Sequence, residues 1–374
     1  MRAMTVPKAG PAIVSLQGVT VTYRGQRPPL QAVRDLSLDI REGETLGIIG
    51  ESGSGKSTLL RVIAGLAQPS AGSVTVRGRG SASSGRSGRP VQMVFQDADR
   101  ALNQRMPIWQ SVAEPLVPDR VRFPRELRST AVELLRSVGL DETHADYRPS
   151  QLSGGQRQRA TIARALASGA PVVLFDEPMS GQDVSLQVSL GQLLARLREE
   201  RELTYVIVSH DVGAIAQLAD RVGVMYAATL IELGPVDEIL ERPLHPYTQA
   251  LIAAVPRIDA ARHPSKELQG EAPDLRNPPS GCRFHTRCPF VVERCVREVP
   301  ALTGTAGAGS SHLVACHRWS EIGAQLRSPS SASAPASGDP VGSPKDRTAD
   351  GPGHDRHEPL PQPDTTSSNS TGDL

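Results

Sequence analysis

Eight consecutive residues, Gly50-Glu51-Ser52-Gly53-Ser54-Gly55-Lys56-Ser57, constrain this chain more than any other feature. They satisfy the pattern G-x-x-x-x-G-K-[ST] in full. The pattern works only between a strand and a helix, because its glycines let backbone N–H groups close around an anion at the helix start. Both flanks are present. Residues 45–49, Thr-Leu-Gly-Ile-Ile, read as a short buried strand, and residues 57–66 as a helix that ends before Pro69. In that setting Lys56 places its charge beside the β- and γ-phosphates of a nucleoside triphosphate, and the Ser57 hydroxyl is offered to Mg²⁺. Gly50, Ser52, Gly53, Ser54, Gly55, Lys56, Ser57 and Thr58 form the expected phosphate cradle.

The rest of the chain alternates strands and helices. Residues 14–40 carry short alternating runs broken by glycine, which read as strands. Residues 91–95, 171–175 and 205–209 are further short apolar strands. Residues 97–150 have helical periodicity, clearest over 128–138, and Ser153 opens a helix to about residue 167. The pattern indicates an α/β fold with a largely parallel central sheet. Residues 78–90 are low-complexity and read as a flexible loop between strands. From about residue 321 the chain turns to Ser, Pro, Gly, Asp and Thr, cannot bury a core, and is expected to be a disordered tail over 321–374.

A second chemical element is Val172-Val173-Leu174-Phe175-Asp176-Glu177. Its two carboxylates follow a buried strand, at the end where open α/β sheets bind ligands. Asp176 suits Mg²⁺ coordination, and Glu177 suits orienting or deprotonating an attacking water. Adjacent acids after a strand are weak evidence alone and strong evidence beside the phosphate loop.

The third element, Leu152-Ser153-Gly154-Gly155-Gln156, is an anion-binding helix start by its residue types. Its sequence resembles the signature of ABC-type ATPases, and the order phosphate loop, signature, acidic strand, His210 is that family's order. The resemblance spans about residues 13–255. It implies a P-loop NTPase with a RecA-like core, an antiparallel β subdomain and a helical subdomain at about 97–165. It implies that Ser153, Gly154, Gly155 and Gln156 bind the γ-phosphate of ATP held by an opposing subunit, and that Tyr23 stacks on adenine. It further implies that Gln96 touches Mg²⁺ and senses the γ-phosphate, that His210 contacts the γ-phosphate, and that Asp183 ends a loop crossing the dimer interface. Two departures stand out. That loop is Ser180-Gly181-Gln182-Asp183 where the family has Ser-Ala-Leu-Asp, and Gln96 is followed by Asp97-Ala98 rather than Asp-Pro.

Composition sets limits on the process served. Of 374 residues 38% are hydrophobic and the net charge is +1, which gives no electrostatic case for nucleic acid. No run reaches the roughly 18–20 apolar residues that span a bilayer, and residues 1–11 lack the apolar core of a signal peptide. The expectation is a peripheral protein on the cytoplasmic face of the membrane, with the membrane part supplied by other chains.

All four cysteines, Cys282, Cys288, Cys295 and Cys316, fall within 35 residues. In a reducing compartment clustered thiols suggest a metal or cluster site. Four thiolates suit a [4Fe–4S] cluster or a structural Zn²⁺, and free thiols are the remaining reading. The run His245-Pro246-Tyr247-Thr248-Gln249-Ala250-Leu251, with Gly281-Cys282-Arg283-Phe284-His285 and Arg287-Cys288-Pro289, resembles the C-terminal extension of peptide-importer ATPases, here about 256–320. That resemblance favours iron–sulfur over zinc. It implies uptake of dipeptides or oligopeptides, with nickel or another small solute, or a non-transport ABC ATPase, as alternatives. The partners it implies are a second ATPase subunit, more often a different chain than a copy, two permease subunits and a separate substrate-binding protein.

Overall fold

The computed structural model describes residues 10–25, 27–77, 90–117, 123–254, 270–305 and 311–322. They belong to one compact unit bounded by Met1 and Ser328. The low-complexity run, except Pro90, and the tail beyond Ile322 lie outside the described residues.

The first sheet is an antiparallel layer. Strands β1 (Ala12–Tyr23) and β2 (Leu30–Arg41) pair over their length. The glycine at 18 lies within a register shift of β1 and does not end the strand, so these are two long strands rather than several short ones.

The second sheet carries the chemistry. Strand β3 (Thr45–Ile49) runs into helix α1 (Lys56–Ile63), which is shorter than expected, with Leu66 left exposed. Strand β4 (Ala71–Val76) returns to the first sheet, giving the order β2-β1-β4. Next come β5 (Val91–Val94) and four helices: α2 (Ala98–Ala101), α3 (Ile108–Ala113), α4 (Leu127–Ser137) and α5 (Gly154–Ala167). Ile108, Val112, Ala131, Leu135, Ala160 and Ala163 are fully buried among them, and the alanines let the helices approach closely. Strand β6 (Val172–Asp176), helix α6 (Val184–Arg201), strand β7 (Thr204–Ser209), helix α7 (Val212–Leu218) and strands β8 (Arg221–Tyr226) and β9 (Thr229–Pro235) follow.

The central order is β9-β8-β3-β7-β6-β5, parallel from β8 to β5. Every residue of β3, β6 and β7 is buried, as expected for parallel strands covered on both faces. Alternate residues divide between two cores. Leu46, Ile48, Leu174, Val206 and Val208 pack with α1 and the first sheet, whereas Val173, Phe175, Tyr205 and Ile207 pack with α5, α6 and α7.

After β9 come α8 (Val236–Glu241), α9 (Pro246–Ala253), α10 (Glu293–Arg297), β10 (Thr303–Gly304) and β11 (Leu313–Val314). The extension does not stand apart. Strand β11 pairs with β9, Leu313 opposite Leu233 and Val314 opposite Glu232, so the central sheet continues into it. Glu232 is fully buried and accepts the N–H groups of Leu244 and His245 at 2.8 and 3.0 Å, with His312 Nε2 at 2.7 Å. The ordered fold reaches past the expected start of the tail, because residues 319–322 are helical and Ile322 is buried.

His245 caps α9 by accepting the Tyr247 N–H on Nδ1 at 3.1 Å. That role needs a neutral ring, and burial, partly opposed by Glu232, pushes its pKa down to about 4. A depressed histidine stabilises the fold while it stays neutral in both states. The unfolded chain takes up the proton first, so stability is lost as pH falls from about 6.5 towards 4. The expected loss between pH 7 and 4 from this residue is about 3 kcal/mol. His245→Asn keeps an acceptor cap and removes the titration, so urea unfolding should show a flatter pH dependence. Equal slopes for the two proteins would refute this assignment.

Candidate functional site

Four neighbouring parallel strands end together. Ile49 is opposite Ser209, Asp176 is opposite Val208, and Val94 is opposite Phe175. The residues that follow are therefore neighbours in space: Gly50 after β3, His210 after β7, Glu177 after β6 and Gln96 just past β5. This is the carboxyl edge of the sheet, where such folds place ligands.

Gln96 Nε2 donates to Glu177 Oε2 at 3.1 Å, and His210 Nδ1 lies 3.1 Å from the same oxygen. A carboxylate oxygen only accepts, so Nδ1 carries the proton of that contact. Glu177 has φ 48°, in the left-handed region that side chains other than glycine rarely occupy. It is held there by its N–H to Val208 O at 2.9 Å and by its carbonyl, which accepts from the Ser180 N–H and hydroxyl at 3.2 and 3.0 Å. Beside it, Ser57 Oγ donates to Asp176 Oδ1 at 2.9 Å. Burial raises the Asp176 pKa, with the Ser57 hydrogen bond opposing and Glu177 adding to the rise. Burial lowers that of Lys56, while Glu177, Asp176 and Glu51 pull it back up. The pocket thus strips water from both signs of charge.

The loop's shape explains its glycines. Gly50 has φ 149°, and a Cβ there would fall 2.1 Å from Met225 O. Gly55 has φ 105°, and a Cβ would fall 2.2 Å from Ala32 O. Lys56 is 5% exposed, and its ammonium donates to the carbonyls of Gly50 and Glu51, each at 2.8 Å. Ser52, Gly53 and Ser54 complete the turn into α1, and Thr58 lies in its first turn.

Residues 153–156 lie elsewhere, at the start of α5. Ser153 Oγ accepts the Gln156 N–H at 3.3 Å and Gln156 Oε1 accepts the Ser153 N–H at 2.8 Å, a capping box. A Cβ on Gly154 or Gly155 would meet nothing within 4 Å, so this helix start faces open space. Tyr23 ends β1 opposite Leu30 and is 38% exposed. The fold therefore gathers Lys56, Ser57, Gln96, Asp176, Glu177 and His210 at one edge, and leaves Tyr23 and the 153–156 turn outside their hydrogen-bond network among the described residues.

Both departures from the usual loop sequences have local explanations. Gly181 has φ 69°, where glycine costs less than alanine. Asp97 caps α2 by accepting from the N–H groups of Asp99 and Arg100, which needs no proline at the next position.

The four cysteines converge. Cys282, Cys288, Cys295 and Cys316 line one cavity of about 10 Å³, with His285 and His317 at its wall. Burial raises the pKa of Cys282 to about 11 and that of Cys316 to about 12, and it raises that of Cys288 as well. As donors they fit a thiophilic metal or cluster. Among the described residues no three His, Cys, Asp or Glu side chains stand at metal-holding distances.

The sequence reading missed three contacts on Glu51, the first variable residue of the phosphate loop. Its N–H donates to Tyr247 Oη at 2.8 Å, and Arg287 donates to its two carboxylate oxygens at 2.9 and 3.1 Å. Tyr247 and Arg287 are 196 and 236 residues away, and variable positions of a motif carry no signal of their partners.

Comparison with known proteins agrees with this geometry. Residues 33–180 match the family model of the ABC transporter, and residues 231–295 that of the oligopeptide/dipeptide transporter C-terminal region. The chain is 41% identical to a probable peptide ABC transporter ATP-binding protein, y4tS, of Sinorhizobium fredii, over 82% of this chain and 88% of that protein. It is 40% identical to the oligopeptide transport ATP-binding protein AppF of Bacillus subtilis, over 78% and 90%. It is 42% identical to the probable D,D-dipeptide transport ATP-binding protein DdpF of Escherichia coli, over 71% and 84%. Among solved structures it resembles the dimeric post-hydrolysis ATP-binding cassette MJ0796 bound to ADP and Pi, with TM-score 0.52 and 32% identity over 60% of this chain and 98% of that one. It also resembles cbiO1 of Clostridium perfringens, part of the ABC transporter complex cbiONQ, with TM-score 0.54 and 27% identity over 62% and 91%. The chain belongs to the ATP-hydrolysing subunits of ABC transporters, in the branch that carries the oligopeptide/dipeptide C-terminal region.

Proposed function

We propose that this chain powers peptide uptake, by closing on ATP against a second ATPase subunit and reopening after hydrolysis. The observation that carries the ATPase half is the meeting of Gln96 and His210 on one oxygen of Glu177, beside Lys56, Ser57 and Asp176. Tyr23 supplies an exposed ring for the adenine, and the phosphate loop receives the β- and γ-phosphates. Ser57, Asp176 and Gln96 are the residues to hold Mg²⁺, which when bound offsets phosphate charge. Glu177 orients the attacking water and accepts its proton, and His210 reaches the γ-phosphate. The open helix start at Ser153, Gly154, Gly155 and Gln156 lies apart from this edge, which favours its use on the partner's ATP. Asp183 directly precedes α6, just after the loop that Glu177 anchors, so the interface residue and the hydrolytic carboxylate share one short segment.

Among the described residues no helix is long and apolar enough to cross a membrane. The reading places the chain on the cytoplasmic face of the membrane, with two permease subunits, a separate substrate-binding protein and a second ATPase chain. Peptides are preferred because the curated relatives quoted above are named for peptide transport. In proteoliposomes holding the full complex, binding protein loaded with peptide should stimulate ATP turnover. Stimulation by a nickel-loaded binding protein alone would reassign the substrate.

The convergence of four cysteines on one cavity, Cys295 buried and Cys282, Cys288 and Cys316 half-buried, supports a [4Fe–4S] cluster in the extension, with zinc as the competing occupant. Thiols with raised pKa values must lose protons to bind either, so loading should release protons and weaken at low pH. The chain purified without oxygen should be brown and contain iron and sulfide, and Cys288→Ser should lose both. Stoichiometric zinc without iron would decide for the alternative.

A further inference from the structure

We infer that the loop between Cys282 and Cys288 is a positioning element of the ATP site, in which Arg287 neutralises Glu51 and, with Arg283, holds the phosphate loop in its receiving shape. The inference rests on the ATP-binding reading above.

A carboxylate in a phosphate cradle is an electrostatic liability. Glu51 sits one residue into the loop, and its charge would repel the incoming phosphates. Arg287 answers it with a two-pronged ion pair at 2.9 and 3.1 Å. The Arg287 side chain is 5% exposed and lies 5.9 Å over the Tyr226 ring, which fixes its position, while the Glu51 side chain is 28% exposed. Tyr247 accepts the Glu51 N–H from the other side. Tyr226, Tyr247 and Phe284 pack against one another with ring centres 4.6–5.6 Å apart, which ties both grips to one aromatic cluster.

Arg283 acts on the supports beneath the loop. It donates to Ala227 O and, at 2.9 Å, to Gln31 Oε1. Those residues belong to the two platforms on which the loop rests. The Ala228 N–H donates to Ser54 O at 3.0 Å, and the Ala32 carbonyl abuts Gly55. Arg283 is 5% exposed, and among the described residues its Nε has no hydrogen-bond partner and no carboxylate pairs with it. An unneutralised cation is costly inside a protein. Beneath an anion-binding loop, its field favours the ligand. Both arginines lie within the five residues bracketed by Cys282 and Cys288, so the ends of this element are thiols of the extension's cavity.

The test uses the full chain and reads ATPase kinetics, the affinity of a fluorescent ATP analogue, and a thermal melt as a check of folding. Arg287→Ala should raise KM for ATP about tenfold while kcat at saturating ATP stays within about twofold. Glu51→Gln alone leaves the Arg287 cation without its counter-charge beside the loop, so KM should fall rather than rise. Glu51→Gln combined with Arg287→Ala should recover most of the lost affinity, because the charge that needed neutralising is gone. Arg287→Lys, with charge but no fork, should fall between wild type and Arg287→Ala, and it carries the same comparison should Arg287→Ala not fold. A double variant that binds ATP no better than Arg287→Ala, or a folded Arg287 variant with wild-type KM, overturns the inference. A wild-type chain that binds no ATP overturns the ATPase reading as well. Wild-type ATP binding with insensitive variants overturns this inference alone.

Discussion

Glu177→Gln should lower steady-state ATP turnover about 10²–10⁴-fold, the usual range for losing a positioned general base, while ATP still binds. The substitution is nearly isosteric, so the amide can still meet Gln96 and His210 and the backbone at φ 48° need not move. What is lost is the capacity to take a proton from water. A negative charge beside the γ-phosphate is lost with it, which favours the ATP-bound state. The variant should therefore accumulate as an ATP-dependent dimer that size-exclusion chromatography resolves from the nucleotide-free monomer. ADP should not produce it, because the bridging phosphate is missing. Wild-type turnover in this variant would remove Glu177 from its role. Slow turnover without the dimer would place the defect in binding.

The parts of the site that could be read from the sequence share one property. Each functional residue follows a short apolar run, so the strand announces where its end lies. Gly50 after Ile49, Glu177 after Phe175 and Asp176, and His210 after Ser209 are all of this kind, and the register of β3, β7, β6 and β5 brings them together. The extension offered no such signal. Strand β11 has two residues, too few for any alternation, yet it carries the central sheet into the extension by pairing with β9. The contacts of Arg287 and Tyr247 with Glu51 depend on that merger, and they span more than half the chain. The loop Ser180-Gly181-Gln182-Asp183 departs from the Ser-Ala-Leu-Asp of the family it resembles. Its glycine occupies a left-handed position, so the departure has a local conformational explanation.

Lys56→Met should abolish ATP binding while leaving the nucleotide-free fold about as stable as before. In the loop described here the Lys56 ammonium is a buried cation held by the carbonyls of Gly50 and Glu51, with its protonated form disfavoured by burial. Methionine fills nearly the same stem volume, gives up those charge-assisted hydrogen bonds and removes the cost of burying the charge. These opposing effects should leave a net change within about 1 kcal/mol. With ATP the two proteins should part. At a ligand concentration about 100 times Kd, the wild type gains about 2.7 kcal/mol of stability, and a variant that binds no ATP gains none. Chemical unfolding with and without ATP measures both quantities on one sample. Loss of several kcal/mol in the nucleotide-free variant would mean that Lys56 is chiefly a structural tie across the loop. A wild-type response to ATP in the variant would mean that the phosphates are held by backbone N–H groups and the start of α1 alone. The expected result, a missing ligand response on an undisturbed fold, assigns the cost of burying this charge to nucleotide recognition.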